Sequence, residues 1–170
     1  MELAKKLIKF LTQNKIFYQV QVHPETATAL ETAEAEHICG KALAKVVMVK
    51  AGAKDVMVVV PCDRDVDLLK MSTILGTDDV RISEEQEFEG LFPDCELGAM
   101  PAFGRVYKIP CYADQALREQ KELYFNAGNH QETIKVSVED FMKTSKAFVG
   151  DFSVPGRCFA RAYKAGKNRS

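Results

Sequence analysis

The predicted fold is organised around two apolar runs, Leu43-Ala44-Lys45-Val46-Val47-Met48-Val49 and Val56-Met57-Val58-Val59-Val60. Neither run shows the apolar–polar alternation of a strand that has one face in water. Residues 50–55 between them are small or polar and include Gly52, which predicts a turn. The sequence therefore predicts a β-hairpin whose two strands are central in a sheet and covered on both faces.

Shorter elements are predicted on both sides of this hairpin. Apolar residues at helical spacing predict a surface helix over residues 2–13, and alternation over 18–22 predicts a half-buried strand. Residues 32–39 form a predicted short helix. After the hairpin, Asp65 or Asp67 begins a helix that ends at Gly76, and Ser83 opens another through a capping box.

Further short strands are predicted at residues 80–82, 105–107, 111–113, 123–126, 133–136 and 148–149. Asp114 begins a turn of helix, and Ser137 caps a last helix through Phe141. Helices and strands do not alternate strictly. We therefore predict an α/β fold of the α+β type, with a mixed sheet and helices packed around it.

Length and composition indicate one globular domain. The chain has 170 residues, of which 46% are hydrophobic and 28% charged, and its formal net charge is −1. This charge excludes a protein that binds nucleic acid through its whole surface. We assign residues 1–150 to the domain and residues 151–170 to a basic tail, because five cations and no acid follow residue 156: Arg157, Arg161, Lys164, Lys167 and Arg169.

The reactive residue types argue against several kinds of site. Five scattered cysteines without a C-x-x-C pair predict a reduced, cytoplasmic protein with neither disulfides nor a cysteine zinc site. Three histidines without nearby acids predict no metal, and Asp63, Asp65 and Asp67 are interpreted as helix-capping acids. No signal peptide or membrane span is predicted, and no nucleotide loop or other cofactor motif is present.

Two glycine-containing segments are the strongest candidates for a binding site. Gly98-Ala99-Met100-Pro101-Ala102-Phe103-Gly104 is a loop in which glycine allows close backbone approach and proline stiffens the turn. Backbone N–H groups in such a loop suit a carbonyl or carboxylate oxygen. Gly128-Asn129-His130 forms a turn between two predicted strands, and its histidine is either an ordinary turn residue or a hydrogen-bonding group in a pocket wall.

Lys45 is the one charged residue in the first apolar run. A lysine in an apolar strand is costly unless its amine reaches water or an anion. It either extends to solvent from the strand end or forms a cation at the mouth of a pocket.

In their order and spacing, these residues resemble the YbaK/prolyl-tRNA-synthetase-associated family of aminoacyl-tRNA editing domains, over residues 26–149. The resemblance rests on Lys45, the Gly98–Gly104 loop, Asp114, and the run Phe125-Asn126-Ala127-Gly128-Asn129-His130 followed by Thr133-Ile134-Lys135-Val136. It implies a barrel-like mixed sheet and hydrolysis of the ester that joins a wrong amino acid to tRNA.

The resemblance also implies roles for individual residues. Lys45 is expected near the phosphate or terminal adenosine of the tRNA, and the backbone of Gly98 and Pro101 is expected to hold the aminoacyl group. His130 is expected in the pocket wall, and Asp114 matches a family acid without an assigned role. The remaining substrate contacts are expected from the loop and the turn: Ala99, Met100, Ala102, Phe103 and Gly128.

The loop departs from the familiar family pattern, because Gly98 and Pro101 are separated by two residues rather than three. The amino acid that the site would select therefore stays open. Our first hypothesis is a deacylase that acts in trans on tRNA charged with a small amino acid such as alanine, cysteine or serine. A synthetase is a further candidate partner, whereas DNA is not. The alternatives are a non-catalytic module that binds an amino-acid-like ligand or an RNA end, and a regulatory protein with a vestigial pocket.

Overall fold

The structure is a computed structural model that describes residues 3–26, 28–36 and 38–156, without the side chains of residues 29 and 30. His37 and the predicted basic tail from Arg157 onward lie outside the described residues.

The predicted hairpin forms the centre of the molecule. Strands β2 (Ala44–Ala51) and β3 (Lys54–Pro61) pair antiparallel along their whole length, from Ala44 opposite Pro61 to Ala51 opposite Lys54. Gly52, whose φ of +60° is a conformation that suits glycine, allows a turn shorter than the sequence predicted. Most of β3 is buried, whereas β2 is partly accessible in its first half.

The remaining elements surround this hairpin. In the described residues, the other strands are β1 (Gln19–Val22), β4 (Arg64–Val66), β5 (Val80–Ile82), β6 (Cys111–Asp114), β7 (Glu122–Asn126), β8 (Glu132–Ser137), β9 (Phe148–Gly150) and β10 (Ser153–Pro155). The α-helices are α1 (Lys5–Gln13), α2 (Ala29–Glu36), α3 (Leu68–Leu75), α4 (Glu85–Phe88) and α5 (Val138–Thr144).

The strands form a mixed five-stranded sheet and two smaller sheets. The five-stranded sheet has the order β5-β2-β3-β6-β9, in which β6 is parallel to both β3 and β9. Strands β1, β8 and β7 form an antiparallel sheet, and β10 pairs with β4. A bridge between Leu43 and Tyr124 links the two larger sheets. The α+β prediction is confirmed, but no closed barrel forms among the described strands, so the barrel-like detail is not.

The two faces of the five-stranded sheet contact different cores. Alternate residues of β2 and β3, such as Met48 and Val59, join the larger core with the buried face of α1. The intervening residues, such as Val49 and Val58, pack with Met71 of α3. Because side chains alternate across a strand, this division assigns every residue of β2 and β3 to one side of the sheet.

Capping residues explain where several helices begin. Asp67, rather than Asp65, accepts hydrogen bonds from the N–H groups of Leu69 and Lys70 at the start of α3. Gly76 ends this helix in a left-handed conformation, as predicted. Ser137 caps α5, also as predicted. The capping box of α4 was assigned one residue too early, since Glu84 and Glu87 form it rather than Ser83.

Other local predictions were wrong for tertiary reasons. Residues 105–107 belong to a 3-10 turn, Gly104–Tyr107, because the chain bends sharply where Gly104 meets the carbonyl of Ile109. Helix α2 begins and ends three residues before its predicted bounds. Strand β1 is an edge strand whose Val20 and Val22 are exposed, so it is not half-buried on its apolar face. Strands β4 and β10 were not predicted.

Candidate functional site

The two segments singled out in the sequence lie against each other. The Glu96 N–H donates to Gly128 O at 2.7 Å, and the Gly128 N–H donates to Ala99 O at 3.0 Å. Two side chains add to these backbone bonds. The Glu96 carboxylate oxygen Oε2 accepts from the backbone N–H of His130 at 3.2 Å, and the imidazole Nε2 of His130 lies 2.8 Å from Leu97 O. Backbone bonds in both directions therefore fix the loop relative to the turn. We call residues 96–104 and 128–130 together the loop side.

Gly98 is the exposed residue of the loop side, and Glu96, Leu97 and His130 around it are partly exposed. Gly98 is exposed and has a φ of +83°. A Cβ placed on it would lie 3.4 Å from His130 Cε1, so the imidazole edge borders the glycine directly. Since a carbonyl oxygen only accepts hydrogen bonds, the contact with Leu97 O places a proton on Nε2. In a neutral imidazole this leaves Nδ1 as an acceptor.

The N–H of Gly98 has a weak internal acceptor. It lies 3.2 Å from Met100 Sδ, and a thioether sulfur accepts hydrogen bonds poorly. A carbonyl or carboxylate oxygen is a stronger acceptor for the same N–H group. The loop thus has a donor that a ligand oxygen can take over at small cost.

The rest of the loop is part of the core. Ala99, Met100, Pro101 and Phe103 are all buried. Phe103 is fully buried and packs against the rings of Phe10, Phe125 and Phe141, with centroids 5.2–5.5 Å apart. Phe103 therefore supports the loop from beneath in this structure, rather than presenting its ring as a pocket wall.

Gly128 is a point of close backbone packing. It is buried with a φ of +103°, and a Cβ placed on it would lie only 2.8 Å from Ala4 Cβ. The Ala4 N–H also donates to Ala127 O at 2.9 Å. The start of α1 is thus held directly against the His130 turn.

Lys45 lies on the other side of the five-stranded sheet. It shares a face of β2 with Val47 and Val49, whereas Met100 and Phe103 pack in the core on the opposite face. Lys45 Nζ is 2.9 Å from Asp65 Oδ1, with 24% and 44% of the two side chains exposed. The structure therefore gives the lysine an anionic partner at the strand end and does not bring its side chain to the buried part of the loop.

Asp114 is also on this side and has a structural environment. It is 1% exposed, its Oδ2 accepts from the Ala116 N–H at 3.1 Å, and its Oδ1 accepts from the Phe152 N–H at 2.9 Å. It starts the 3-10 turn Gln115–Glu119, as predicted, and holds the segment before β10. We call Lys45, Asp65 and Asp114 the lysine side.

Sequence reasoning missed a buried polar cluster behind the His130 turn. Thr133 Oγ1 lies 2.7 and 2.8 Å from the two oxygens of Glu36, and His23 Nε2 lies 3.6 Å from Glu36 Oε1. Burial raises the pKa of the Glu36 carboxyl, while Thr133 and His23 lower it. The Thr26 N–H donates to His130 O at 3.2 Å, which joins this region to the turn. Glu96 was missed as well, since an isolated glutamate in a loop carries no pattern.

Three of the four described cysteines are poor nucleophiles. Burial raises the pKa of Cys62 and of Cys95 to about 12 and that of Cys111 to about 11, which keeps these thiols protonated at neutral pH. Cys39, Cys62, Cys95 and Cys111 are all free thiols. In residues 3–26, 28–36 and 38–156, no group of three or more His, Cys, Asp or Glu side chains is arranged to hold a metal ion.

The loop and the turn both lie within a match to a known protein family. A family model described as an aminoacyl-tRNA editing domain matches residues 23–144, well over half of the chain and a range that contains both segments. The chain belongs to this family. Membership in this family implies an aminoacyl-tRNA substrate. The resemblance drawn from the sequence is confirmed.

Solved structures of similar fold agree with this assignment. The hypothetical protein APE2540 is 21% identical with a TM-score of 0.79, covering 88% of this editing domain chain and 100% of its own. A proposed trans-editing enzyme for prolyl-tRNA synthetase is 20% identical, with a TM-score of 0.77. The match covers 89% of this chain and 96% of that protein's chain. A proposed signal-transduction protein from Marinobacter aquaeolei is 19% identical with a TM-score of 0.69, covering 90% and 31%. At these identities the likeness shows the fold.

The comparison with curated proteins found no match. No helix in the described part of the editing domain has the length and apolar character needed to cross a bilayer.

Proposed function

We propose that this editing domain is an aminoacyl-tRNA deacylase that hydrolyses the ester of tRNA charged with a small amino acid. The observation that carries the proposal is the contact between Gly98 and His130, which the hydrogen bonds of the loop side hold in place. In this proposal the Gly98 N–H supplies a hydrogen-bond donor, and Nδ1 of the neighbouring imidazole supplies an acceptor. The match to the editing family supplies the class of substrate.

The proposed chemistry needs little from the protein beyond positioning. Water attacks the ester carbonyl carbon, the bond from that carbon to the ribose oxygen breaks, and the ribose oxygen takes a proton. The Gly98 N–H leaves Met100 Sδ and donates to the carbonyl oxygen as negative charge develops there. Nδ1 of His130 accepts a hydrogen bond from the attacking water or from the substrate amine. The terminal hydroxyl of the tRNA is a further group that can orient the water.

Lys45 has a separate role in this proposal. Its amine exchanges the exposed carboxylate of Asp65 for a phosphate of the tRNA, which costs little because partly exposed ion pairs contribute about 0–1 kcal/mol. The buried Ala99 and Pro101 fix the loop, and selection is by size, since a tight site excludes larger amino acids. An aminoacyl-tRNA synthetase is a candidate partner, because a trans-acting deacylase handles the product of a synthetase.

Deacylation of a panel of mischarged tRNAs tests the proposal. We expect release of one small amino acid, with loss of at least about tenfold in rate for Lys45→Ala and for Gly98→Leu, equal to about 1.4 kcal/mol in the barrier. Lys70→Ala is the control for the first variant, because Lys70 forms a similar 2.9 Å pair with Asp151. Gly52→Leu is the control for the second, since Gly52 also has a positive φ.

Two outcomes contradict the proposal. A folded protein that releases no amino acid from any charged tRNA but still retards uncharged tRNA would be the binding module. Full hydrolysis by both Lys45→Ala and Gly98→Leu would place the active site elsewhere in the chain.

A further inference from the structure

A basic groove, which Lys45 does not line, runs along α1. The groove has a volume of about 370 Å³, and its lining includes Lys6, Lys9, Phe10, Gln13, Asn14 and Arg105. All three cations are exposed, and no carboxylate lines the groove among the described residues. Helix α1 itself contains three lysines and no acid. A chain with a net charge of −1 thus concentrates positive charge at this surface.

Two of the three groove cations, Lys6 and Arg105, make defined contacts. Lys6 Nζ lies 5.7 Å from the centroid of the Tyr107 ring, and Arg105 Cζ lies 5.9 Å from the centroid of Phe10. Arg105 also donates to Thr144 O at 3.1 Å. Lys6 and Lys9 are three residues apart and therefore neighbours on one helix face. Asp94, which accepts from the Lys6 N–H and the Tyr107 hydroxyl, is the acid that these contacts bring to the start of α1.

Helix α1, which lines the groove, begins beside the turn of the candidate site. Ala4, immediately before α1, contacts Gly128 and bonds to Ala127 O in the His130 turn. The nine residues of α1 extend from there for about 14 Å, at about 1.5 Å per residue. Phe10 in the groove packs on Phe103 beneath the loop, with centroids 5.3 Å apart. Lys6 and Lys9 thus lie within two helical turns of Ala4, the residue that packs against the His130 turn.

We propose that this groove binds the sugar-phosphate backbone of the tRNA acceptor end, next to the ester at the loop side. This inference rests on the proposed function for the direction of the strand. Lysine and arginine neutralise phosphates, and an aromatic ring with flanking amides suits a nucleic acid strand better than an acidic peptide. The tight positioning that ester hydrolysis needs comes from the loop side, while the groove supplies affinity.

Binding of an uncharged RNA hairpin with a single-stranded 3′ end tests the groove without requiring any catalysis. The variant is Lys6→Gln/Lys9→Gln in the full chain, and the control is Lys54→Gln/Lys121→Gln, which removes the same charge from exposed lysines outside α1. Fluorescence anisotropy across a salt series gives the affinity and its salt dependence. Thermal unfolding checks that both proteins are folded.

We expect the α1 variant to bind at least about tenfold more weakly at low salt. The slope of log affinity against log salt falls by about 1.4–1.8, since each lost phosphate contact contributes about 0.7–0.9. The control changes both quantities much less. Equal affinities and slopes for the α1 variant and the unmodified protein would overturn the proposal, as would an equal loss in the control.

Deacylation by the same variants separates this inference from the proposed function. If the chain hydrolyses charged tRNA, the α1 variant raises KM and leaves kcat nearly unchanged. If no charged tRNA is hydrolysed but RNA binding depends on Lys6 and Lys9, the groove stands and the deacylase proposal fails. If hydrolysis proceeds with an unchanged KM in the α1 variant, the deacylase proposal stands and the groove is wrong.

Discussion

The loop side and the lysine side hold their polar groups in different ways. On the loop side, backbone bonds tie Glu96, Ala99 and Gly128 together and set the distance between Gly98 and His130. On the lysine side, Lys45 meets a carboxylate that is 44% exposed. Backbone hydrogen bonds thus fix the loop side, whereas Lys45 is held by a partly exposed ion pair of a kind that contributes only about 0–1 kcal/mol.

Truncation of Phe103 is expected to have the largest effect on the loop side. Phe103→Ala removes a fully buried ring that three other aromatic rings contact, so we expect a loss of about 3–5 kcal/mol in the free energy of unfolding. Phe17→Ala is the matched control, because Phe17 is 74% exposed, and it should change stability by less than about 0.5 kcal/mol. Urea denaturation measures both. A small loss for Phe103→Ala would show that this ring is a pocket wall rather than core.

Two of the three glycines of the loop side, Gly98 and Gly128, differ in how closely other atoms approach them. In Gly128→Ala the new methyl group clashes with Ala4, and the alanine has to adopt a positive φ. We therefore expect a loss of about 2–5 kcal/mol in the free energy of unfolding. Gly98→Ala has the same backbone strain but meets nothing closer than 3.4 Å, and about 1–2 kcal/mol is expected. Thermal unfolding with calorimetry compares them. If the two variants lose equal stability, the close packing of α1 on the turn has no energetic role.

Asp114 and Lys45 separate structure from function on the lysine side. Asp114→Ala leaves the buried N–H groups of Ala116 and Phe152 without this acceptor, so a loss of about 1–3 kcal/mol is expected. Lys45→Met breaks only a partly exposed pair and should cost less than about 1 kcal/mol. Chemical denaturation of both variants is the measurement. A stable Asp114→Ala protein that has lost deacylation would instead make Asp114 a substrate-binding residue, as the family resemblance allowed.

The smallest expected effect is the pH dependence that Glu36 confers behind the turn. Because its pKa is raised above 4.5, the folded protein binds this proton more tightly than the unfolded chain. Its contribution to stability is therefore greatest at low pH and falls as the pH rises from about 4.5 through the raised pKa. Relative to Glu36→Gln, the unmodified protein should gain stability as the pH is lowered through the raised pKa toward about 4.5. A difference that is constant with pH would contradict the raised pKa.

Features that depend on neighbours in sequence were predicted correctly, whereas features that depend on distant segments were not. The hairpin, the caps at Asp67 and Ser137, and the strands on either side of the His130 turn were predicted, because each depends on neighbours in sequence. The strand at residues 105–107 was wrong, because Gly104 meets Ile109 and bends the chain. Strands β4 and β10 pair residues nearly ninety positions apart, and no local pattern encodes such a pair.

The site residues divide in the same way. The sequence identified Gly98 and His130 because glycine and histidine have distinctive chemistry, and the order of motifs placed the chain in the editing family, as the match over residues 23–144 confirms. The same reasoning predicted that Phe103 forms a pocket wall, and it did not identify Glu96. Whether an aromatic residue in a loop faces ligand or core depends on what packs beneath it, here Phe10, Phe125 and Phe141.

The class of fold, the family, and the loop and turn of the candidate site can all be inferred from the amino-acid sequence alone. These follow from apolar periodicity, turn chemistry and the order of motifs, all of which are carried by the chain in one dimension. Three features emerge only in the folded chain: the loop and the turn touch, Lys45 lies across the sheet, and α1 packs on Gly128 and lines a basic groove. These depend on strand register and on packing between distant segments, where side-chain volume and hydrogen-bond geometry are settled together.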